Sequence, residues 1–146
     1  MTFKTKTITY SPEETMSFAE SIVGILERGD LIALIGDLGA GKTMFVKGLA
    51  KGLGVQDHLY VNSPSFVIMK EYRGEKKLYH FDVYRLEEKS FVETLDYEKY
   101  FYGNGITVIE WANKIKNILP EKYLEVKIEY RGLAEREIMI RKIGQK

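Results

Sequence analysis

The chain has 146 residues, 45% of them hydrophobic, so we expect one globular domain over residues 1–146 with a sizeable core. Its 22 Lys and Arg nearly balance its 21 Asp and Glu, and the net charge of +1 provides no excess positive field for a general nucleic-acid or membrane-surface binder. The absence of cysteine excludes disulfides, thiolate catalysis and cysteine-based metal centres, and the lack of an apolar span or leader favours a cytoplasmic protein without a membrane contact.

A helix is predicted early in the chain. Ser11 suits the N-cap, Pro12 suits the first helical position, and Glu14 stands three residues after the cap, as in a capping box. Apolar residues then recur at helical spacing on one face: Phe18, Ile22, Ile25 and Leu26. We expect Gly29 to end this helix.

A buried strand and a second helix are predicted next, joined by a glycine-rich turn. Residues 31–35 form an unbroken apolar run, which is typical of a strand covered on both faces. The second helix is predicted from Lys42 to about Lys51, with three apolar residues facing the core: Phe45, Val46 and Leu49.

The rest of the chain predicts further strands and short helices. In chain order these are a loop at 61–65, strands at 66–72 and 77–83 joined by a turn at 73–75, a helix at 87–100, a strand at 106–109, a helix at 112–119 stopped by Pro120, and an antiparallel pair at 124–130 and 137–143. Such a mixture of strands and helices predicts a layered α/β domain.

The glycine-rich turn matches the phosphate-binding pattern G-x-x-x-x-G-K-[ST] at every fixed position. Its residues are Gly36, Asp37, Leu38, Gly39, Ala40, Gly41, Lys42 and Thr43. The glycines permit torsions that let backbone N–H groups surround an anion, and the helix that begins at Lys42 adds the positive end of its dipole. The motif predicts a P-loop NTPase-like fold, with a mixed, partly parallel sheet flanked by helices, in which Lys42 contacts the β- and γ-phosphates and Thr43 ligates magnesium.

Two carboxylates follow apolar runs, as in a Walker B arrangement. Asp82 ends the run at 78–81, and Glu110 ends the run at 106–109. Acids at the ends of strands beside a phosphate loop hold magnesium or orient the attacking water. Their spacing alone does not divide these roles between Asp82 and Glu110.

A proline-fixed loop offers two more hydroxyls, those of Ser63 and Ser65, which either reach the metal or γ-phosphate or serve only the turn itself. Arg85 is either a transition-state cation or a partner in a structural ion pair. His80 is interpreted as a core histidine, because with His58 as the sole other histidine a zinc site has little support.

The nucleotide is predicted to be ATP or ADP. A GTPase reads guanine with an Asn-Lys-x-Asp element, and residues 113–116 place a lysine where the acid belongs. The loop does not separate transfer to water from transfer to a hydroxyl, so a small-molecule P-loop kinase is an alternative to an ATPase. A non-catalytic nucleotide-binding adaptor is a third possibility.

Four ordered stretches resemble the TsaE family of bacteria. They are the whole loop at 36–43, Ser-Pro-Ser-Phe at 63–66, His-Phe-Asp-Val-Tyr-Arg-Leu at 80–86, and Ile-Glu-Trp at 109–111. The resemblance implies a magnesium-dependent ATPase that acts on the TsaB–TsaD pair, which threonylcarbamoylates adenosine 37 of tRNAs reading ANN codons. It implies contact with tRNA only through that complex. Because no arginine finger is evident in the sequence, we expect the isolated chain to be slow and to be stimulated by partners.

The resemblance also implies residue roles. Lys42 would contact phosphates, Thr43 and Glu110 would hold magnesium, and Asp82 would be catalytic or linked to the metal. Trp111 belongs to the same functional stretch, although as a residue type it equally suits core packing.

The resemblance also implies that two further residues lie near the nucleotide. Arg136 would approach the nucleotide, and Ser11 would lie near the adenine. Two residues depart from the family pattern: Met44 stands where a second Thr or Ser is common, and Ser65 stands where the pattern has Thr. Met44 keeps its backbone N–H but loses a hydroxyl near the α-phosphate, so this departure bears on nucleotide affinity.

Overall fold

The computed structural model describes residues 4–37, 40–64, 68–94 and 96–144. Within these ranges the strands are β1 Lys4–Thr9, β2 Leu31–Ile35, β3 Met69–Tyr72, β4 Leu78–Asp82, β5 Ile106–Glu110, β6 Tyr123–Tyr130 and β7 Arg136–Ile143. The α-helices are α1 Pro12–Ser21, α2 Lys42–Gly52, α3 Glu88–Thr94 and α4 Glu98–Phe101, and short 3-10 helices lie at Val23–Ile25, His58–Tyr60 and Ala112–Ile118. None of these helices is long and apolar enough to cross a membrane.

The strands form one mixed sheet in the order β1-β7-β6-β2-β5-β4-β3. The central strand β2 pairs in parallel with both β5 and β6, and β5 pairs in parallel with β4. The outer pairs β1–β7, β6–β7 and β3–β4 are antiparallel. The predicted mixed, partly parallel sheet is therefore confirmed, and its parallel centre brings the carboxyl ends of β2, β4 and β5 to one edge.

Helices cover both faces of the sheet, which gives three layers. Because side chains alternate along a strand, each central strand contributes to two separate cores. Ile32 and Val108 pack on the face covered by α1 and α2. Ala33 and Phe81 pack on the other face, against Phe91 and the rest of the α3–α4 segment.

The N-terminus of α1 forms as predicted. The backbone N–H of Glu14 donates to Ser11 Oγ at 3.1 Å, and Glu14 Oε1 accepts from the backbone N–H of Tyr10 at 2.9 Å. This reciprocal arrangement satisfies two backbone donors at the start of the helix. The helix ends at Ser21 and gives way to a 3-10 turn, so Ile25 leaves the predicted core face and is 50% exposed.

The predicted helix at 87–100 is wrong, because the segment forms two helices, α3 and α4. Aromatic packing explains the break. The rings of Phe91 and Phe101 lie 6.2 Å apart, and both contact Phe81. In one straight helix, ten residues would separate the two rings by about 15 Å along the axis.

Three further differences concern strands and a short helix. Strand β1 was not predicted, because an edge strand that reads KTKTIT has a single large apolar residue to mark it. The predicted helix at 112–119 is a 3-10 helix over Ala112–Ile118. Strand β3 begins at Met69, after Ile68 turns the chain with a φ of 73°, and residues 66–67 of the predicted strand lie outside the described residues.

Replacing Gly48 with Ala should destabilise the protein, because α1 and α2 pack closely there. An added Cβ would lie 2.8 Å from Ala19 Cβ and would also meet the backbone carbonyl of Met16. Helix propensity favours Ala over Gly by about 1 kcal/mol, but overpacking against backbone costs about 1–3 kcal/mol and should prevail. Urea denaturation measures the difference. Gly24→Ala is the matched control, since its Cβ would meet nothing within 4 Å, and an unchanged midpoint for Gly48→Ala would contradict the packing argument.

Candidate nucleotide-binding site

The predicted loop and both predicted carboxylates meet at one edge of the sheet. Strand β2 ends at Ile35 and runs directly through the loop into α2. In the parallel ladders Asp82 lies opposite Glu110, and Glu110 lies opposite Leu34. The sequence placed each acid at a strand end, and the register places the two side by side next to the loop.

Strand alternation also directs the acids toward the loop helix. Ile109 belongs to the core under α3 and α4, so its neighbour Glu110 projects to the opposite face, where α2 lies. Asp82 shares that face through its register with Glu110, and His80, two residues before Asp82, does so too. All three side chains are buried.

Two glycines of the loop are required for different physical reasons. Gly41 has a φ of 105°, a left-handed conformation that favours glycine, and it is the N-cap of α2. Gly36 needs no such torsion, but a Cβ there would lie 2.6 Å from the backbone oxygen of Ile128 on β6. Leu38 and Gly39 lie outside the described residues.

The start of α2 is open to an anion. Its N-cap is a glycine without a side-chain hydrogen bond, so no side chain of the cap competes for the first N–H groups of the helix. Backbone donors and the helix dipole together favour an anion at such a helix end. A groove of about 420 Å³ runs beside the loop, lined by residues that include Gly36, Asp37, Ile128 and Tyr130.

Lys42 points back into the loop. Its Nζ donates to the backbone oxygens of Gly36 and, at 3.3 Å, of Asp37. It also lies 3.7 Å from the centre of the Trp111 ring, a cation–π distance. Burial lowers the pKa of Lys42, and the charges of nearby carboxylates, first among them Glu110, oppose that shift. An anion bound in the loop would favour the charged amine further.

A chain of hydrogen bonds connects the loop helix to the end of β5 and to the middle of β4. Thr43 Oγ1 lies 3.0 Å from Ser63 Oγ, and Ser63 Oγ donates to Glu110 Oε2 at 2.7 Å. The same oxygen, Oε2, lies 2.6 Å from Nε2 of His80. Hydroxyl, hydroxyl, carboxylate and imidazole thus form a continuous network that begins at Thr43.

Trp111 is held beside the site by an unusual backbone. Its φ of 64° is left-handed, which is uncommon for a bulky residue. Its backbone N–H donates to Leu34 O at 3.1 Å, and its ring packs against Tyr84 at 4.8 Å between centroids. The backbone N–H of Tyr84 in turn donates to Asp82 Oδ1 at 2.9 Å. Trp111 therefore packs within the site and covers the Lys42 amine.

A small cavity of about 140 Å³ lies on the other side of the loop. Its lining includes Pro12, Gly41, Met44 and Arg136. Nε of Arg136 donates to the backbone oxygen of Ala40 at 2.9 Å, so this side chain braces the loop. Ser11, the residue predicted near the adenine, precedes Pro12 at this cavity and caps α1.

The donor atoms around Glu110 suit magnesium. Thr43, Ser63 and Glu110 offer hydroxyl and carboxylate oxygens, the hard donors that this ion prefers. No cluster of three or more His, Cys, Asp or Glu that could hold a metal occurs in the ranges that the structure describes. Magnesium itself usually takes one or two protein ligands and completes its shell with phosphate oxygens and water. Ser65 lies outside the described residues, and the Arg85 side chain is exposed.

The contacts that His80 and Ser63 make with Glu110 were not predicted from the sequence. His80 was interpreted as a core histidine, and it is indeed fully buried on β4, but its ring also contacts Glu110. One signal could have marked it: His80 and Asp82 stand two residues apart in a strand and therefore share a face. Ser63 was predicted either to reach the metal or γ-phosphate or to serve only the turn, and its contact with Glu110 could not be predicted because it spans 47 residues.

A strand that runs into a phosphate-binding loop and a helix, with carboxylates at the ends of neighbouring parallel strands, defines a P-loop NTPase-like α/β protein. Comparison with known proteins narrows this class. A family model described as threonylcarbamoyl adenosine biosynthesis protein TsaE matches residues 9–138. The chain belongs to the TsaE family, and this membership supports a role in tRNA threonylcarbamoyladenosine biosynthesis.

Individual relatives are similar in sequence to this chain over most of their length. The tRNA threonylcarbamoyladenosine biosynthesis protein TsaE of Bacillus subtilis is 45% identical over 139 residues, covering 94% of this chain and 85% of that protein. Its counterpart in Treponema pallidum is 36% identical over 133 residues, covering 91% and 97%. The crystal structure of Bacillus subtilis YdiB matches with a TM-score of 0.81 at 39% identity, covering 99% of this chain and 88% of that one.

Proposed function

We propose that this chain is the ATP-binding and ATP-hydrolysing subunit that acts on the TsaB–TsaD pair during threonylcarbamoylation of adenosine 37 in tRNAs reading ANN codons. The observation that carries the ATPase proposal is the hydrogen-bonded chain from Thr43 through Ser63 to Glu110, at the open end of the phosphate loop. Family membership supports the pathway, and the resemblance to TsaE supports the partners.

The loop and Lys42 would bind the phosphates. Lys42 is already desolvated and close to the loop backbone, so only its short-range contacts need to change when phosphates enter. Its amine would exchange the oxygens of Gly36 and Asp37 for phosphate oxygens, which are stronger partners for a cation. The open N–H groups at the start of α2 would complete the cradle.

Thr43 and Glu110 would hold magnesium, with Asp82 as a further ligand or as the group that orients the attacking water. Magnesium held by these residues would supply positive charge against the charge that develops on the phosphates during transfer. Asp82 is buried and receives the backbone N–H of Tyr84, which fixes the direction of its carboxylate. The two acids lie opposite each other in the β4–β5 ladder, and separate substitutions at each position would distinguish their roles.

The adenosine end is assigned to the cavity between α1 and the loop. Pro12, Met44 and Arg136 line this cavity, and Ser11 directly precedes Pro12 as the N-cap of α1. Met44 offers apolar surface to a base, which suits adenine, while it lacks the hydroxyl that family members commonly place near the α-phosphate. We therefore propose a site that relies on the β- and γ-phosphates for much of its affinity.

We expect slow turnover by the isolated chain, because the arginine beside the loop is already bound to backbone oxygens. Arg136 donates to Ala40 O and to three oxygens of the β6–β7 turn, so its guanidinium is engaged by the backbone. Where an arginine finger acts, it raises the rate by roughly 10³–10⁵. Partner proteins are the proposed source of stimulation, either by supplying such a group or by reordering the site.

Addition of TsaB–TsaD should raise the rate of ATP hydrolysis by at least about tenfold, a small part of the range that a supplied arginine covers. The measurement is release of labelled phosphate from γ-labelled ATP at fixed magnesium, with and without the partners. Bovine serum albumin at equal mass serves as the control protein. An unchanged rate would count against the partner proposal, and label in a phosphorylated small molecule would favour a kinase. Binding without turnover under all conditions would favour an adaptor.

A further inference from the structure

His80 belongs to the hydrogen-bonded network, but the proposed function assigns it no role. Its side chain is fully buried on β4. Its Nε2 lies 2.6 Å from Glu110 Oε2, and its other ring nitrogen, Nδ1, is buried without a hydrogen-bond partner in the described structure. Within the part of the chain that the structure describes, the ring therefore has a single polar contact, and that contact is with the proposed magnesium ligand.

The geometry determines which ring nitrogen carries the proton. An ionised carboxylate only accepts hydrogen bonds, so the contact requires a proton on Nε2. The imidazole therefore donates from Nε2 to Glu110 Oε2, and its Nδ1 has no hydrogen-bond partner among the described residues.

The two donors to Glu110 converge on one atom. Ser63 Oγ and His80 Nε2 both contact Oε2, while Oε1 takes part in neither bond. Such convergence fixes the rotation of the carboxylate about its last bond, because turning it would break both contacts. Second partners of metal ligands commonly act in this way.

We propose that His80 is a positioning residue that orients the Glu110 carboxylate for magnesium by donating a hydrogen bond from Nε2. The inference rests on the proposed function, since it concerns the metal that Glu110 would hold. A residue needed only for packing would be apolar, as Leu78 and Phe81 on the same strand are. An imidazole with one nitrogen unsatisfied is a poor filler of a core and is explained by its contact with Glu110.

A matched pair of substitutions tests the proposal. His80→Gln and His80→Met have side chains of similar length, but only Gln can donate to Glu110. We expect His80→Met to raise the magnesium concentration needed for tight ATP binding by about 10–100-fold, the usual effect of losing a partner of a metal ligand. His80→Gln should restore most of the lost affinity. Calorimetry of ATP binding against magnesium measures this shift, and binding without metal should stay the same in both variants.

Equal magnesium dependence of His80→Met and the wild-type protein would overturn the positioning role. If the wild-type protein binds ATP without any magnesium dependence, the proposed function fails and the inference fails with it.

The tautomer of His80 provides a test that requires no variant at position 80. The chain has only two histidines, so long-range ¹⁵N–¹H spectra of wild type and His58→Gln identify the His80 ring. A proton on Nε2 is expected, and a ring protonated only on Nδ1 would contradict the proposal.

Discussion

Replacement of Lys42 with Ala is expected to abolish measurable ATP binding. A hydrogen bond to a charged group contributes about 1.5–3 kcal/mol, and an ammonium shared by two phosphates should contribute at least two such bonds. The expected loss is therefore about 100-fold or more in affinity. Because burial already lowers the pKa of this amine, its removal relieves a desolvation cost, and the variant should remain folded. Isothermal calorimetry with ATP and magnesium measures the affinity, and circular dichroism measures the fold.

The control for this variant lies on the same helix. Lys51→Ala removes an equal charge from the last turn of α2, where the side chain is exposed and pairs with Glu20 at 3.5 Å. We expect this control to bind ATP as the wild-type protein does. Normal ATP binding by Lys42→Ala would show that the loop does not bind phosphate in the proposed way.

Replacement of Glu110 with Gln should leave nucleotide binding in place but reduce magnesium-dependent hydrolysis by about 100-fold or more, since metal-based charge stabilisation is worth several kcal/mol. The Gln carbonyl oxygen can still accept from Ser63 and His80, so the buried network stays satisfied and the fold should be retained. What is lost is the negative charge that attracts the ion. Steady-state hydrolysis over a range of magnesium concentrations, with partners present, measures the effect.

Glu121→Gln is the matched control for that variant. It removes the same charge from an exposed position just before β6, at the opposite edge of the sheet from the loop. Asp82→Asn, measured in parallel, separates the two acids. A loss of magnesium affinity would identify Asp82 as a ligand, and a lower rate at saturating magnesium would identify it as a catalytic group. Full activity of Glu110→Gln would remove Glu110 from the metal site.

Local sequence patterns were sufficient to predict structural features whose interacting residues are neighbours in the sequence. The α1 cap could be predicted because Ser11 and Glu14 stand three residues apart, and the backbone N–H of Glu14 donates to Ser11 Oγ. The phosphate loop could be predicted because its motif is contiguous in the sequence, beginning at Gly36 directly after a buried strand and ending at Lys42 and Thr43. By contrast, no local pattern indicated the break between α3 and α4, which results from tertiary packing of the Phe91 and Phe101 rings.

The sequence by itself determined the loop, the strand that leads into it and the two acids at strand ends, since each is a contiguous arrangement of residue types. Only the tertiary structure decided which groups meet at Glu110. Ser63 and His80 reach it across 47 and 30 residues. His80 lies on β4, which pairs in parallel with β5, and Ser63 lies in the loop that precedes β3. The register between strands, which no single segment encodes, brought these polar residues together into one connected site.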